Sequence, residues 1–175
     1  MSSRVLKHNE NMEKSFLIWQ NECALEHNCL GQQSLTRALK SLNAVFSVKL
    51  LHLGIHHDDV WLNDVFPQPQ GFMRDVLLCL DDEPVVWARS RCAVDDAVWQ
   101  AILNCGTQPL GERLFDGSLA LSRTPFEYAF APLLYDLTDI SATAFAARRS
   151  VFELEGAKLG LVECFLPSLR QFWAK

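Results

Sequence analysis

Arg74 heads the run Arg74-Asp-Val-Leu-Leu-Cys79, which otherwise reads as a buried strand. A guanidinium carried into apolar sheet needs a partner, because burying a charge unpaired costs several kcal/mol or more. Glu163, inside the equally apolar strand Leu159 to Leu166, is the partner expected for it. Two opposite charges on two core strands predict a small, dry polar site suited to an anion. Arg74 carries the planar fork that grips a carboxylate in bidentate fashion, which lysine does not reproduce. Glu163 alternates with Leu161 and Phe165 on one strand face, where burial disfavours its charge and a nearby arginine favours it. Structural ion pairs bring such residues together too, so residue types alone leave both readings open.

The elements that must position this pair are read from periodicity and punctuation. Met12, Phe16, Leu17, Trp19, Ala24 and Leu25 predict an amphipathic helix within residues 11–29. Ser34 is a suitable N-cap for a second helix through Leu35, Ala38, Leu39 and Leu42. Val45 to Leu53 alternates as a strand. His56 to Gln70, with Pro67 and Pro69, predicts a loop, and His56-His57-Asp58-Asp59 within it is read as solvated rather than as a metal cluster. A turn at Asp81-Asp82-Glu83-Pro84 returns the Arg74 strand into Val85 to Arg91. A helix over Val94 to Leu103, entered through Asp95 and Asp96, precedes a turn at Gly106 to Gly111 and a short helical piece ending at Phe115. Leu119 to Tyr128 predicts a strand, Ala129 to Ala147 a partly helical stretch, and Arg149 to Leu166 a closing hairpin stopped by Pro167. Strands on tight turns with helices grouped between them indicate an α+β fold, mainly antiparallel β-sheet.

Composition bounds the function. At 175 residues the chain fits one domain spanning its whole length, able to bury about two thirds of its unfolded surface. Apolar residues make up 49% and charged residues 21%, with a net charge of −5. The absence of a basic stripe argues against nucleic acid. Apolar runs broken by charges or prolines argue against a membrane span. Lys7, Glu10, Glu13 and Lys14 leave no apolar signal region, which predicts a cytoplasmic protein. The six cysteines then read as reduced packing residues, and Cys23, His27 and Cys29 fit no familiar zinc spacing.

An ordered set of runs resembles bacterial chorismate pyruvate-lyase. It comprises Ser34-Leu-Thr-Arg37, Arg74-Asp-Val-Leu-Leu-Cys79 with Glu83-Pro84, Gln108-Pro-Leu-Gly111 with Leu114-Phe115, Leu121-Ser-Arg123 with Phe126-Glu127, Arg148-Arg149-Ser150, and Glu163-Cys-Phe-Leu-Pro167. The resemblance covers about Ser34 to Pro167. It implies an antiparallel sheet with helical flaps covering an internal ligand site. It further implies cleavage of chorismate to 4-hydroxybenzoate and pyruvate, the entry to the ubiquinone head group, with no cofactor and no metal; a monomer is expected. Carried over by motif, the site residues are Leu35, Arg74, Leu110 and Glu163, with Arg74 and Glu163 catalytic. The family commonly has methionine at the position of Leu35, and the Asp116–Ala147 stretch is longer than the family pattern.

On that reading Arg74 grips a carboxylate and Glu163 hydrogen-bonds the C4 hydroxyl and assists proton transfer. Leu35 and Leu110 open helices, where backbone N–H groups are left without intrahelical partners. Arg89 is a second-tier candidate for the other carboxylate of chorismate. Arg148 and Arg149 are read as solvated or packed over aromatic rings, and Arg123 and Glu127 as scaffold. The alternative is a non-enzymatic domain of the same fold that senses small carboxylates, as in some transcription regulators. Such domains normally follow a winged helix, for which the residues before Ser34 are too few. A lyase-like protein without activity is a third reading, kept by the long Asp116–Ala147 stretch.

Overall fold

The computed structural model describes residues 18–21, 31–57, 59–131 and 145–173. Two antiparallel hairpins make the centre of the sheet. β1 (Phe46–His56) pairs β2 (Gly71–Leu80), which turns into β3 (Glu83–Cys92). The turn residues Asp81 and Asp82 both have positive φ, 50° and 64°, the geometry that joins twisted strands through two residues. β6 (Phe145–Leu154) and β7 (Ala157–Phe165) form the second hairpin, and β7 pairs β3. β4 (Ser122–Arg123) and β5 (Glu127–Ala131) share the outer edge of β6, so the order is β1-β2-β3-β7-β6-β4. Every pairing among the described residues is antiparallel, as the alternating runs predict.

Helices cover one face. α1 (Leu35–Lys40) is capped by the Ser34 hydroxyl, which accepts from Arg37 N–H, and α2 (Ala97–Leu103) by Asp96, which accepts from Trp99 N–H at 3.0 Å. α3 (Leu110–Phe115) starts directly after Pro109. α1 packs with Val76, Leu78, Val86 and Phe165, while α2 and α3 pack with Phe152 and Leu159. Each buried leucine in these clusters stabilises the fold by roughly 1.5–3 kcal/mol. The other face is closed by the segment after β1: Trp61 and Leu62 sit with Leu77, Trp87, Val162 and Cys164. A 3₁₀ turn (Pro167–Leu169) and α4 (Arg170–Trp173) end the described chain.

Several expectations change. The expected helix within 11–29 is not helical at 18–21, where Gln20 bridges to Tyr128; its other positions lie outside the described residues, as do Cys23, His27 and Cys29. Leu119 to Tyr128 is not one strand, since β4 holds only Ser122 and Arg123 before Thr124 to Phe126 break the ladder. The ends of the Ala129–Ala147 stretch are strand, because backbone on the open edge of β6 completes a ladder; 132–144 lie outside the described residues. Asp59 is not solvated: it is 4% exposed, and its carboxylate accepts from both Arg89 and Arg91 at 3.2 Å.

Candidate active site

Alternation along the strands decides which side chains meet. Val48 of β1, Arg74, Val76 and Leu78 of β2, Ala88 and Ser90 of β3, and Leu161 and Glu163 of β7 face the helices. Together with α1 and α3 they line a cleft of about 490 Å³ of empty space, part of it open to solvent. Leu35 and Leu110, the first residues of α1 and α3, form its roof. The four residues expected to build the site, Leu35, Arg74, Leu110 and Glu163, therefore line one cavity.

The roof is tightly set. A Cβ on Gly111 would lie 2.8 Å from Thr36 Oγ1, so α3 approaches α1 as closely as it does because position 111 has no side chain. Lys40 of α1 and Glu112 of α3 form an exposed ion pair across the same junction.

Arg74 and Glu163 are not each other's hydrogen-bonding partners. Arg74 Nη2 donates to the carbonyls of Gly106 and Gln108, both at 3.0 Å, which ties β2 to the turn before α3. Its Nε is buried without a hydrogen-bond partner among the described residues. Burial pushes its pKa down from the ordinary arginine value, with the Cys105 side chain opposing. Glu163 is paired instead with Arg148, its neighbour across the β6–β7 ladder, which donates from Nε to Oε2 at 2.5 Å. Arg148 also donates to the Gln32 carbonyl and lies over the Phe126 ring at 4.1 Å. Cross-strand register thus outcompeted the pair expected from the sequence.

Arg123, read from the sequence as scaffold, lines the same cleft. It donates from Nε to Ser150 Oγ at 2.9 Å and from Nη1 to the Gln33 carbonyl at 2.7 Å, and lies 4.2 Å from the Phe126 ring centre. Burial lowers its pKa to about 10, partly offset by Glu163, so it remains a cation at neutral pH. The signal for it in the sequence was an arginine beside an aromatic, Phe126, next to the β6 arginines.

Arg89 does not reach the cleft. It is fully buried on the opposite face and forks onto Asp75 at 2.8 and 2.7 Å. Arg149, also on that face, pairs with Asp64 and Glu127 and lies over Trp19 at 4.3 Å. Hydrogen bonds from Arg149 hold the Asp64 carboxyl below its ordinary value, against burial. Arg148 and Arg149 are thus packed on aromatic rings as expected, but both are buried and ion-paired rather than solvated.

Residues 17–175 match the family profile described as chorismate lyase. The chain belongs to the chorismate lyase family. It is 36% identical over 158 residues to a probable chorismate pyruvate-lyase 1 of Burkholderia pseudomallei (strain 1710b), covering 85% of this chain and 84% of that one. It is 32% identical over 152 residues to a probable chorismate pyruvate-lyase 1 of Pseudomonas fluorescens (strain Pf0-1), covering 81% and 80%. Among solved structures it resembles the effector domain of PhnF from Mycobacterium smegmatis, with a TM-score of 0.54 at 13% identity, over 77% of this chain and 89% of that one. That likeness is one of fold alone. This lyase-family member therefore has the α+β sheet with helical cover that the motifs implied, and no helix among its described residues is long and apolar enough to cross a membrane.

Proposed function

We propose that this chain cleaves chorismate to 4-hydroxybenzoate and pyruvate in the cleft under α1 and α3, the first step toward the ubiquinone head group. The observation that carries the reading is the charge on the cavity side of the sheet. Two guanidiniums, Arg74 and Arg123, line the cleft with one carboxylate, Glu163, whose charge Arg148 already balances. The excess of two positive charges suits a dianion, and chorismate is a dianion.

Chorismate carries a ring carboxylate, a hydroxyl at C4 and an enolpyruvyl ether at C3. Loss of the C4 hydrogen with departure of the C3 ether aromatises the ring, which makes the reaction downhill. The protein's work is to hold the ring, stabilise charge moving onto the leaving enolpyruvate and manage protons. Arg74 binds the ring carboxylate through the donors its carbonyl partners leave free, Nε–H and Nη1–H. Glu163, oriented by Arg148, accepts from the C4 hydroxyl and assists the proton transfer. Leu35 and Leu110, 3% and 7% exposed, wall off water, and their backbone N–H groups lie at helix starts where substrate oxygens can be bound.

The test is to mix purified protein with chorismate, without added metal or cofactor, and to follow both products by chromatography. Equimolar 4-hydroxybenzoate and pyruvate, lost in Arg74→Ala, is the expected result. Binding of chorismate without turnover would refute the lyase and favour a sensing role.

A further inference from the structure

Resting on that reading, we infer that Arg123 binds the second, enolpyruvyl carboxylate of chorismate, so that the substrate lies across the sheet with its ring toward Arg74 and its ether side chain toward β4. The register sets the orientation. Arg74 stands opposite Ser90, Ser90 opposite Leu161, and Leu161 opposite Ser150. The Ser150 hydroxyl is the group that accepts from Arg123 Nε. Arg74 and the Arg123 anchor therefore occupy the two ends of one row, three strand spacings or about 14 Å apart at the backbone. Glu163 lies between them, on the strand between β3 and β6.

The other arginines do not offer this contact. Arg89 and Arg91 are on the far face with Asp59 and Asp75, and Arg149 with Asp64 and Glu127. Arg148 is committed to Glu163 and Gln32. Arg123 lines the cleft and makes no ion pair among the described residues; its Nε and Nη1 are spent on neutral oxygens and its plane lies on Phe126. Those contacts fix the guanidinium without bringing a carboxylate into hydrogen-bonding contact with it. A side chain needed only to brace Phe126 and the chain before α1 would not have to face the cavity.

The products separate the two ends. 4-Hydroxybenzoate carries only the ring carboxylate, whereas chorismate carries both. Arg123→Lys and Arg123→Gln are to be compared with the unaltered protein for chorismate kinetics and for 4-hydroxybenzoate binding by calorimetry. The expected result for Arg123→Gln is a KM for chorismate raised about 30-fold or more with a smaller change in kcat, and a 4-hydroxybenzoate Kd within about twofold. Arg123→Lys should recover part of the loss through its charge alone. Equal weakening toward both ligands would assign Arg123 to the scaffold and overturn the inference, as would an unchanged KM for chorismate. If the unaltered protein binds chorismate but does not turn it over, the lyase reading fails. The Kd values for the two ligands in the same variants then still decide the role of Arg123.

Discussion

The two faces of the sheet each carry three arginines, all buried except the half-buried Arg123, and use them oppositely. On the face closed by Trp61 and Leu62, Arg89, Arg91 and Arg149 meet four carboxylates, Asp59, Asp64, Asp75 and Glu127. On the face under α1 and α3, Arg148 takes Glu163, while Arg74 and Arg123 make no ion pair among the described residues. Buried guanidiniums are costly unless compensated, so the first set reads as internal structure and the second as a site that an anionic ligand completes. The contrast teaches that the count of arginines says little. The count of carboxylates facing them separates scaffold from site.

Substitutions on the two faces should therefore fail in different ways. The largest effect is expected for Arg74→Ala, which should lower kcat/KM for chorismate about 10³-fold, with a loss of stability limited to its two bonds to the Gly106 and Gln108 carbonyls. Asp59→Asn is the mirror experiment. It removes the carboxylate that Arg89 and Arg91 share and should destabilise the fold by about 3 kcal/mol in urea unfolding, with KM unchanged in the protein that remains folded. If Asp59→Asn instead impaired substrate binding selectively, the division between faces would be wrong. Glu163→Gln should reduce kcat about 100-fold in steady-state assays; unchanged turnover would remove it from proton transfer and leave it as an orienting group.

Smaller effects sharpen the same line. Lys40→Ala opens the exposed pair to Glu112 across the roof, and denaturation should register less than about 1 kcal/mol. Smallest of all is an acid-sensitive term on the scaffold face. Asp64 titrates lower when folded, so its pairing with Arg149 stabilises the protein above the ordinary carboxylate range and is lost as pH falls through the folded value. Because its side chain is more than half exposed, Asp64→Asn should lower Tm by only about 1–2 °C at neutral pH and by nothing near pH 2 in thermal melts.

The sequence carried the helix caps at Ser34 and Asp96, both central hairpins and the buried charges Arg74 and Glu163, because each leaves a local signature, whereas Leu35 and Leu110 came only through the family resemblance. Ser34 stands before an apolar repeat, and Asp81-Asp82 between two alternating runs. Partner choice was not legible. Glu163 is nearest in register to Arg148, a fact of the β6–β7 ladder that needs the whole hairpin to be placed. Arg89 was misplaced for a related reason. Counting outward from the Leu80–Glu83 pair would set it opposite Arg74, on the cavity face. A register shift between Leu78 and Cys79 sets Arg74 opposite Ser90 instead and turns Arg89 to the other side. Asp59 was missed because two prolines and two histidines made its neighbourhood read as solvent, while the arginines that recruit it lie some 30 positions further on.

That register shift makes chain length, rather than residue identity, the variable guarding this part of the protein. Val85 is the extra residue, seated between Pro84, opposite Cys79, and Val86, opposite Leu78. Deleting it would invert the parity of β3 up to Cys92. Arg89 and Arg91 would then point into the cleft, Ser90 away from it, and Asp59 and Asp75 would be stranded. Along this hairpin the protein should tolerate many substitutions yet almost no insertions or deletions, because one residue more or less exchanges its inside for its outside.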